Sequence, residues 1–118
     1  MINSNHGSLE NTILNAVWFM EENEQDIISV SDVLERINIV SNQKWAYTTV
    51  KTVMDRLVEK GIINRIKNGK KYFYRSVYSR EEMGRRSIEK IARQFYNNDI
   101  DALMKAVEAI RAEVMVLA

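Results

Sequence analysis

Residues 45–61 read WAYTTVKTVMDRLVEKG, and residues 62–76 continue as IINRIKNGKKYFYRS. Apolar residues in the first stretch recur at intervals of three and four, the period of one buried helical face. They are Val50, Val53, Met54, Leu57 and Val58. Gly61 stands where a left-handed cap would end such a helix, and Lys60 complements its negative end. The sequence therefore predicts a helix over residues 47–60.

A tight hairpin is predicted next, because Asn68-Gly69 separates two strand-like runs, residues 62–67 and 70–75. If the loop is Asn68-Gly69 alone, Lys67 lies opposite Lys70, and Ile66 lies opposite Lys71. Like charges across a strand pair are mildly destabilising unless an anion lies between them. The hairpin thus predicts either a phosphate contact or a solvated tip kept soluble by lysines. The aromatic residues 72–74 favour packing over a platform for single-stranded nucleic acid.

Two further helices and a short strand are expected before residue 45. Ser8 is expected to cap the first helix. Its apolar face comprises Leu9, Ile13, Ala16, Val17 and Met20. Residues 27–30 are expected to add a short strand to a sheet edge. Ser31 is expected to cap a second helix of barely two turns, with Val33, Leu34 and Ile37 facing inward.

Two amphipathic helices are predicted after the hairpin. Ser79 opens a capping box with Glu82, and Asp99 caps the last helix. Their apolar stripe is longer than two helices of one chain can cover, so we expect a second copy to bury it. The candidate dimer-interface residues are Ile88, Ile91, Phe95, Ile100, Leu103, Met104, Val107, Ile110, Val114 and Leu117.

Three helices followed by a β-hairpin form the winged helix arrangement, in which a helix-turn-helix presents its second helix to the DNA major groove. The predicted fold class is mainly α with a small β-hairpin. We expect a winged helix-turn-helix DNA-binding domain over residues 1–76 and a two-helix dimerisation module over residues 77–118.

Charge is concentrated in the same region, although the whole chain carries only +1. Residues 44–75 hold nine basic and two acidic residues, whereas residues 1–43 hold one basic and seven acidic residues. Residues 76–118 hold seven of each. Such a local excess of positive charge indicates a polyanionic partner.

The outward face of the predicted helix 47–60 offers groups that bind DNA. Thr48 and Thr52 can contact phosphates or base edges, and Lys51 and Arg56 can reach phosphates or guanine. Asp55 and Glu59 also point outward, and their carboxylates would repel phosphate. A plain alternative is that Lys51 and Asp55, four residues apart, form a surface ion pair.

Residues 45–63 and 71–74 resemble the recognition helix and wing of the penicillinase repressor family, of BlaI/MecI/CopY type. The similarity extends to residues 9–18 and 79–103. It implies a transcriptional repressor that binds a palindromic double-stranded DNA operator as a homodimer, with the C-terminal helices as the dimer module. It also implies that Thr49, Lys51, Thr52 and Arg56 face DNA. With the neighbouring basic and hairpin residues, the candidate DNA-binding residues are Lys44, Thr48, Thr49, Lys51, Thr52, Arg56, Lys67, Asn68, Lys70 and Lys71.

The chain departs from this family in three ways. Ala46-Tyr47 gives the recognition helix a poorer start than the residues of many relatives. The sequence contains neither the Asn-Phe bond at which the antibiotic-responsive members are cleaved nor the paired cysteines of the copper-responsive members. We therefore expect an unidentified inducer or protease. The chain is also expected to end before the family's usual last helix.

Several classes of function are disfavoured. The chain has no cysteine and a single histidine, His6, so we expect no metal site, no cofactor and no enzyme activity. Its longest apolar runs are far below the roughly 20 residues of a membrane helix, and its polar N-terminus favours the cytoplasm. The alternative function is a winged helix used as a protein-interaction or assembly module without sequence-specific DNA binding.

Overall fold

The computed structural model describes residues 6–117, with side chains from Leu9 onward. Within them, the elements are α1 (His6–Glu22), α2 (Val30–Ser41), α3 (Tyr47–Glu59), β1 (Ile63–Asn68), β2 (Lys71–Ser76), α4 (Arg80–Phe95) and α5 (Ile100–Leu117). The chain divides into two compact units, of which the first ends at Arg80 and the second begins at Glu81. The side chains of His6 and Ser8 and the polar segment 1–5 lie outside the described part. The mainly helical winged helix fold predicted from the sequence is confirmed.

The core of the first unit is built from the apolar faces predicted for α1, α2 and α3. The predicted face of α1 is buried in full. From α2 and α3 the core receives Val33, Ile37, Val50, Val53, Met54 and Leu57. Tyr74 and Ile63 close it from the hairpin, and Trp18 donates its indole N–H to the Tyr78 carbonyl at 2.9 Å. The three helices and the hairpin therefore share a single apolar core.

The starts of α1 and α2 differ from the prediction. α1 begins at His6, two residues before the predicted cap at Ser8. α2 is capped by Ser29, whose hydroxyl accepts from the Asp32 amide at 3.1 Å, while the Asp32 carboxylate accepts from the Ser29 amide at 3.0 Å. The cap predicted at Ser31 is therefore wrong, because Asp32 is placed to complete a capping box with Ser29. α2 spans 12 residues, about three turns, and the prediction of barely two turns is also wrong.

The strand predicted over residues 27–30 is absent from the described elements. Val30 already belongs to α2, so the extended segment before it is too short for a ladder. Instead of a strand ladder, this segment makes one backbone hydrogen bond to β2. The Tyr74 amide donates to the Ile28 carbonyl at 2.8 Å. This bond ties β2 to the start of α2.

The end of α3 confirms the predicted role of Gly61. Gly61 has φ of 74°, a left-handed conformation that favours glycine. The Gly61 amide donates to the Val58 carbonyl, and the Ile62 amide donates to the Leu57 carbonyl, each at 3.0 Å. This pair of bonds is a Schellman motif. It satisfies the terminal carbonyls of α3 and directs the chain into β1.

The hairpin forms, but its predicted register is wrong. Asn68 pairs with Lys71, and Lys67 lies opposite Tyr72, so the two turn residues are Gly69 and Lys70. Gly69 has φ of 67°, whereas Asn68 and Lys70 do not adopt positive φ. Glycine at the first turn position with a second residue at negative φ matches a type II′ turn, while the predicted Asn-Gly loop needs two positive φ values. The predicted opposition of Lys67 and Lys70 does not occur.

The second unit is a pair of helices with little burial of its own. α4 begins directly after Ser79, as predicted, and the Asp99 carboxylate accepts from the Ala102 amide at 3.1 Å, which confirms the predicted cap of α5. Among the described apolar side chains of this unit, which end at Leu117, only Ala92 and Leu103 are buried. In the described part of the chain, no helix is both long and apolar enough to cross a bilayer.

We predict that Ser29→Ala lowers the free energy of unfolding by about 1 kcal/mol, because the Asp32 amide is left without its capping acceptor. Urea denaturation followed by far-ultraviolet circular dichroism measures this decrease. The matched control is Ser31→Ala in the exposed first turn of α2, which should change the free energy of unfolding by less than about 0.5 kcal/mol. Equal decreases in the two variants would contradict the assignment of the cap to Ser29.

Candidate nucleic-acid interface

The outer face of α3 carries small polar and cationic side chains. Thr48 and Thr52 are exposed, and Thr49, Lys51 and Arg56 are partly exposed beside them. The opposite face is buried in the core, so this orientation is fixed by packing. The cap at Ala46 contributes no side-chain hydrogen bond, which confirms the poor helix start expected from the sequence.

Asp55 joins α3 to the hairpin. One carboxylate oxygen accepts from Lys51 Nζ at 2.9 Å, and the other accepts from Arg65 Nη1 at 3.2 Å. The ion pair expected between Lys51 and Asp55 is therefore present, and Arg65 of β1 extends it. Because one carboxylate serves two cations, this group of three side chains keeps a net positive charge.

Two pKa values reflect this arrangement. The hydrogen bond to Asp55, and then the charge of its carboxylate, raise the pKa of Lys51 above 10.5. Burial raises the pKa of the Tyr74 phenol above 10.0, with a smaller contribution from Asp55. Near neutral pH, Lys51 is therefore a full cation and Tyr74 is uncharged.

The hairpin places further cations beside this group. The Arg65 guanidinium lies 4.8 Å from the centroid of the Tyr72 ring, and Lys67 Nζ lies 6.0 Å from the same centroid. Both distances suit cation–π contacts, which hold the two side chains along the strand. Asn68 and Lys70 occupy the exposed tip.

Between α2, α3 and β2 lies a cleft of about 490 Å³, which we call the α3–wing cleft. Its lining includes Tyr47, Lys51, Lys70 and Lys71, and also Asp32, whose carboxylate accepts hydrogen bonds from the Ser29 amide and the Gln25 side chain. Three ammonium groups outnumber this single carboxylate, so the cleft is positive overall and suits an anion such as a backbone phosphate. Among the described side chains, from Leu9 to Leu117, no group of acidic residues is arranged to hold a metal ion.

The structure brings together most of the candidate DNA-binding residues. Lys44 is the exception, because it lines a separate depression between Asn38 of α2 and Trp45 of the α2–α3 loop. The sequence interpretation missed Arg65 and Tyr47. Alternation along β1 puts Arg65 on the same strand face as Lys67, and this pattern could have identified Arg65. No sequence pattern distinguished Tyr47 as a candidate binding residue.

Comparison with protein families matches residues 6–113 to the family described as penicillinase repressor. The chain belongs to the penicillinase repressor family. The family resemblance inferred from residues 45–63 and 71–74 is thereby confirmed. Penicillinase repressor proteins are transcriptional regulators rather than enzymes, so the expectation that the chain is no enzyme agrees with its family.

Two curated proteins are similar to the chain. Both are named transcriptional regulator BlaI and come from Mycobacterium tuberculosis, strains CDC 1551/Oshkosh and ATCC 25618/H37Rv. Each is 30% identical over 77 residues, which cover 65% of this chain and 51% of the relative. The match thus spans about half the length of these relatives.

Proposed function

We propose that the chain is a transcriptional repressor that binds double-stranded DNA in a sequence-specific manner, with α3 in the major groove and the hairpin on the flanking backbone. The main support for this proposal is the group of cationic side chains on α3 and the hairpin. Asp55 does not oppose the role, because its carboxylate is shared by Lys51 and Arg65. In this proposal Asp55 holds both cations in place.

Phosphate binding is assigned to the hairpin and the α3–wing cleft. Lys67, Lys70 and Lys71 are all exposed, and the latter two line the cleft with Lys51. Contacts of this kind supply affinity and position the protein, but they do not read the sequence. The DNA sequence is read by the outward face of α3, where Thr48, Thr52 and Arg56 can reach base edges.

We predict that the triple variant Lys67→Ala, Lys70→Ala, Lys71→Ala binds all duplexes more weakly. The slope of log K against log salt should fall in magnitude by about 0.9 for each phosphate that the variant no longer binds, because fewer counterions are released. Fluorescence anisotropy of a labelled duplex at several salt concentrations measures the slope.

The matched control removes three exposed cations from the second unit, by Lys90→Ala, Arg93→Ala and Lys105→Ala. It has the same net charge as the hairpin variant and should keep the slope of the unmodified protein. An unchanged slope in the hairpin variant would overturn the phosphate assignment. Duplex binding with no preference among sequences would instead favour a protein-interaction module.

A homodimer is the second part of the proposal. The second unit exposes a long apolar stripe, in which Ile110 and Val114 are 60% and 59% exposed. The predicted interface residues Ile88, Ile91, Phe95, Ile100, Met104, Val107 and Leu117 are exposed as well, and Leu103 is buried within the unit. Removing such a stripe from water favours association. A second copy offers the same apolar stripe for burial. The resulting two-fold symmetry of the protein would match a palindromic operator.

We predict that Val107→Asp with Ile110→Asp yields a monomer, because charge enters the exposed stripe while buried Leu103 stays in place. Sedimentation velocity at micromolar concentration measures the mass, and circular dichroism checks the helix content. The control is Ala109→Asp with Ala112→Asp, which adds the same charge at exposed positions on the other side of α5. A monomeric unmodified protein that still binds a palindrome tightly would refute the dimer.

We also propose that the protein acts in the cytoplasm, and that an unidentified inducer or protease relieves repression. A reducing compartment suits a chain without cysteine.

A further inference from the structure

The first unit contains a groove between α1 and α2, apart from the α3–wing cleft. Its volume is about 370 Å³, within the range of small-molecule sites in proteins, about 300–1,000 Å³. α1 contributes Thr12, Asn15 and Phe19, α2 contributes Arg36 and Val40, and Arg80 also lines the groove. We call it the α1–α2 groove.

The walls of the groove expose apolar side chains to water. Phe19 is 39% exposed and Val40 is 61% exposed. Ala16 and buried Ile37 complete the apolar wall. A ligand with an apolar body would remove this surface from water.

The charges in the lining are both positive. Arg80 is paired with Glu22, with Nε 3.0 Å from a carboxylate oxygen, and it also donates to the Asn15 side chain. Arg36 lies against the Phe19 ring, with Cζ 3.6 Å from the centroid. Within residues 6–117, no carboxylate pairs with Arg36, and no acidic side chain lines the groove.

Stacking on Phe19 fixes the Arg36 guanidinium without using its N–H donors. These donors lie at the edge of the guanidinium plane and match the two oxygens of a carboxylate. A single unpaired cation beside an apolar wall fits one carboxylate better than a phosphate, which carries more charge and requires more donors. The lining is therefore complementary to a small monocarboxylate.

We propose that the α1–α2 groove binds a small carboxylate with an aromatic or branched aliphatic body. Arg36 holds the carboxylate, and Phe19, Val40 and Ala16 hold the body. Arg80 is also the first residue of α4 and the last residue of the first unit, so a ligand that contacts it acts where the two units join along the chain. An effect of this ligand on DNA affinity rests on the proposed function; binding to the groove does not.

The test uses 2-naphthoate and its uncharged counterpart 2-naphthamide, each titrated into the full chain and followed by ¹H–¹⁵N NMR. We expect saturable binding of 2-naphthoate, with the largest shift changes at Phe19, Arg36 and Val40. 2-Naphthamide should bind at least about tenfold more weakly, because it cannot form charge-assisted hydrogen bonds with Arg36. Equal binding of the two compounds, or no saturable binding of 2-naphthoate, would overturn the proposal.

Two variants locate the ligand. Arg36→Gln should weaken 2-naphthoate binding at least about tenfold, whereas Arg85→Gln, which removes an exposed cation from α4, should leave it unchanged. Val40→Asp puts a carboxylate into the exposed wall and should abolish binding without disturbing the core. Wild-type affinity in both Arg36→Gln and Val40→Asp would refute the site.

A duplex-binding measurement with and without 2-naphthoate separates the two claims. Binding to the groove with unchanged DNA affinity would keep the site and reject its role as an effector site. Binding to the groove by a chain that binds no duplex at all would reject the proposed function alone.

Discussion

Burial of one face of α3 is the constraint on which the first unit depends. Val50, Val53, Met54 and Leu57 are at most 1% exposed, so rotation of α3 about its axis would bring them into water. Exposure costs about 1.5–3 kcal/mol for each such side chain, which far exceeds what surface ion pairs could offset. The polar face of α3 is therefore turned outward. The left-handed turn at Gly61 then leads the chain into the hairpin beside that face.

Asp55 shows how a locally unfavourable residue can support the same surface. Taken alone, a carboxylate on a DNA-facing helix repels phosphate. Its two oxygens contact Lys51 and Arg65, which belong to different elements. The hairpin cations are thus coupled to a helix that the core holds in place, and the resulting surface is rigid in the helix and positive along the hairpin.

Features of the fold that depend only on residues close in sequence could be predicted. The period of α3 and the conformation of Gly61 are local properties, and both are confirmed. The register of the hairpin was not predictable from the loop alone, because both registers put Ile63 and Tyr74 on the same face. The observed register leaves the Tyr74 amide free to donate to the Ile28 carbonyl, a contact with a distant part of the chain. The contact of Asp55 with Arg65 joins residues ten positions apart on separate elements, so no helical or strand period reveals it. The cap of α2 was misassigned because Ser29 and Ser31 are both good capping residues, and only the hydrogen bonds of Asp32 distinguish them.

We propose that the surface formed by α3 and the hairpin reads duplex DNA as a two-fold pair. Selection of bound duplexes from a random pool by the full chain, followed by sequencing, tests it most directly. We expect enrichment of one short sequence and its inverted repeat, with centres separated by about 10–10.5 base pairs or a multiple of that distance. Recovery of duplexes with no shared sequence, at a salt concentration where the protein still binds, would contradict it.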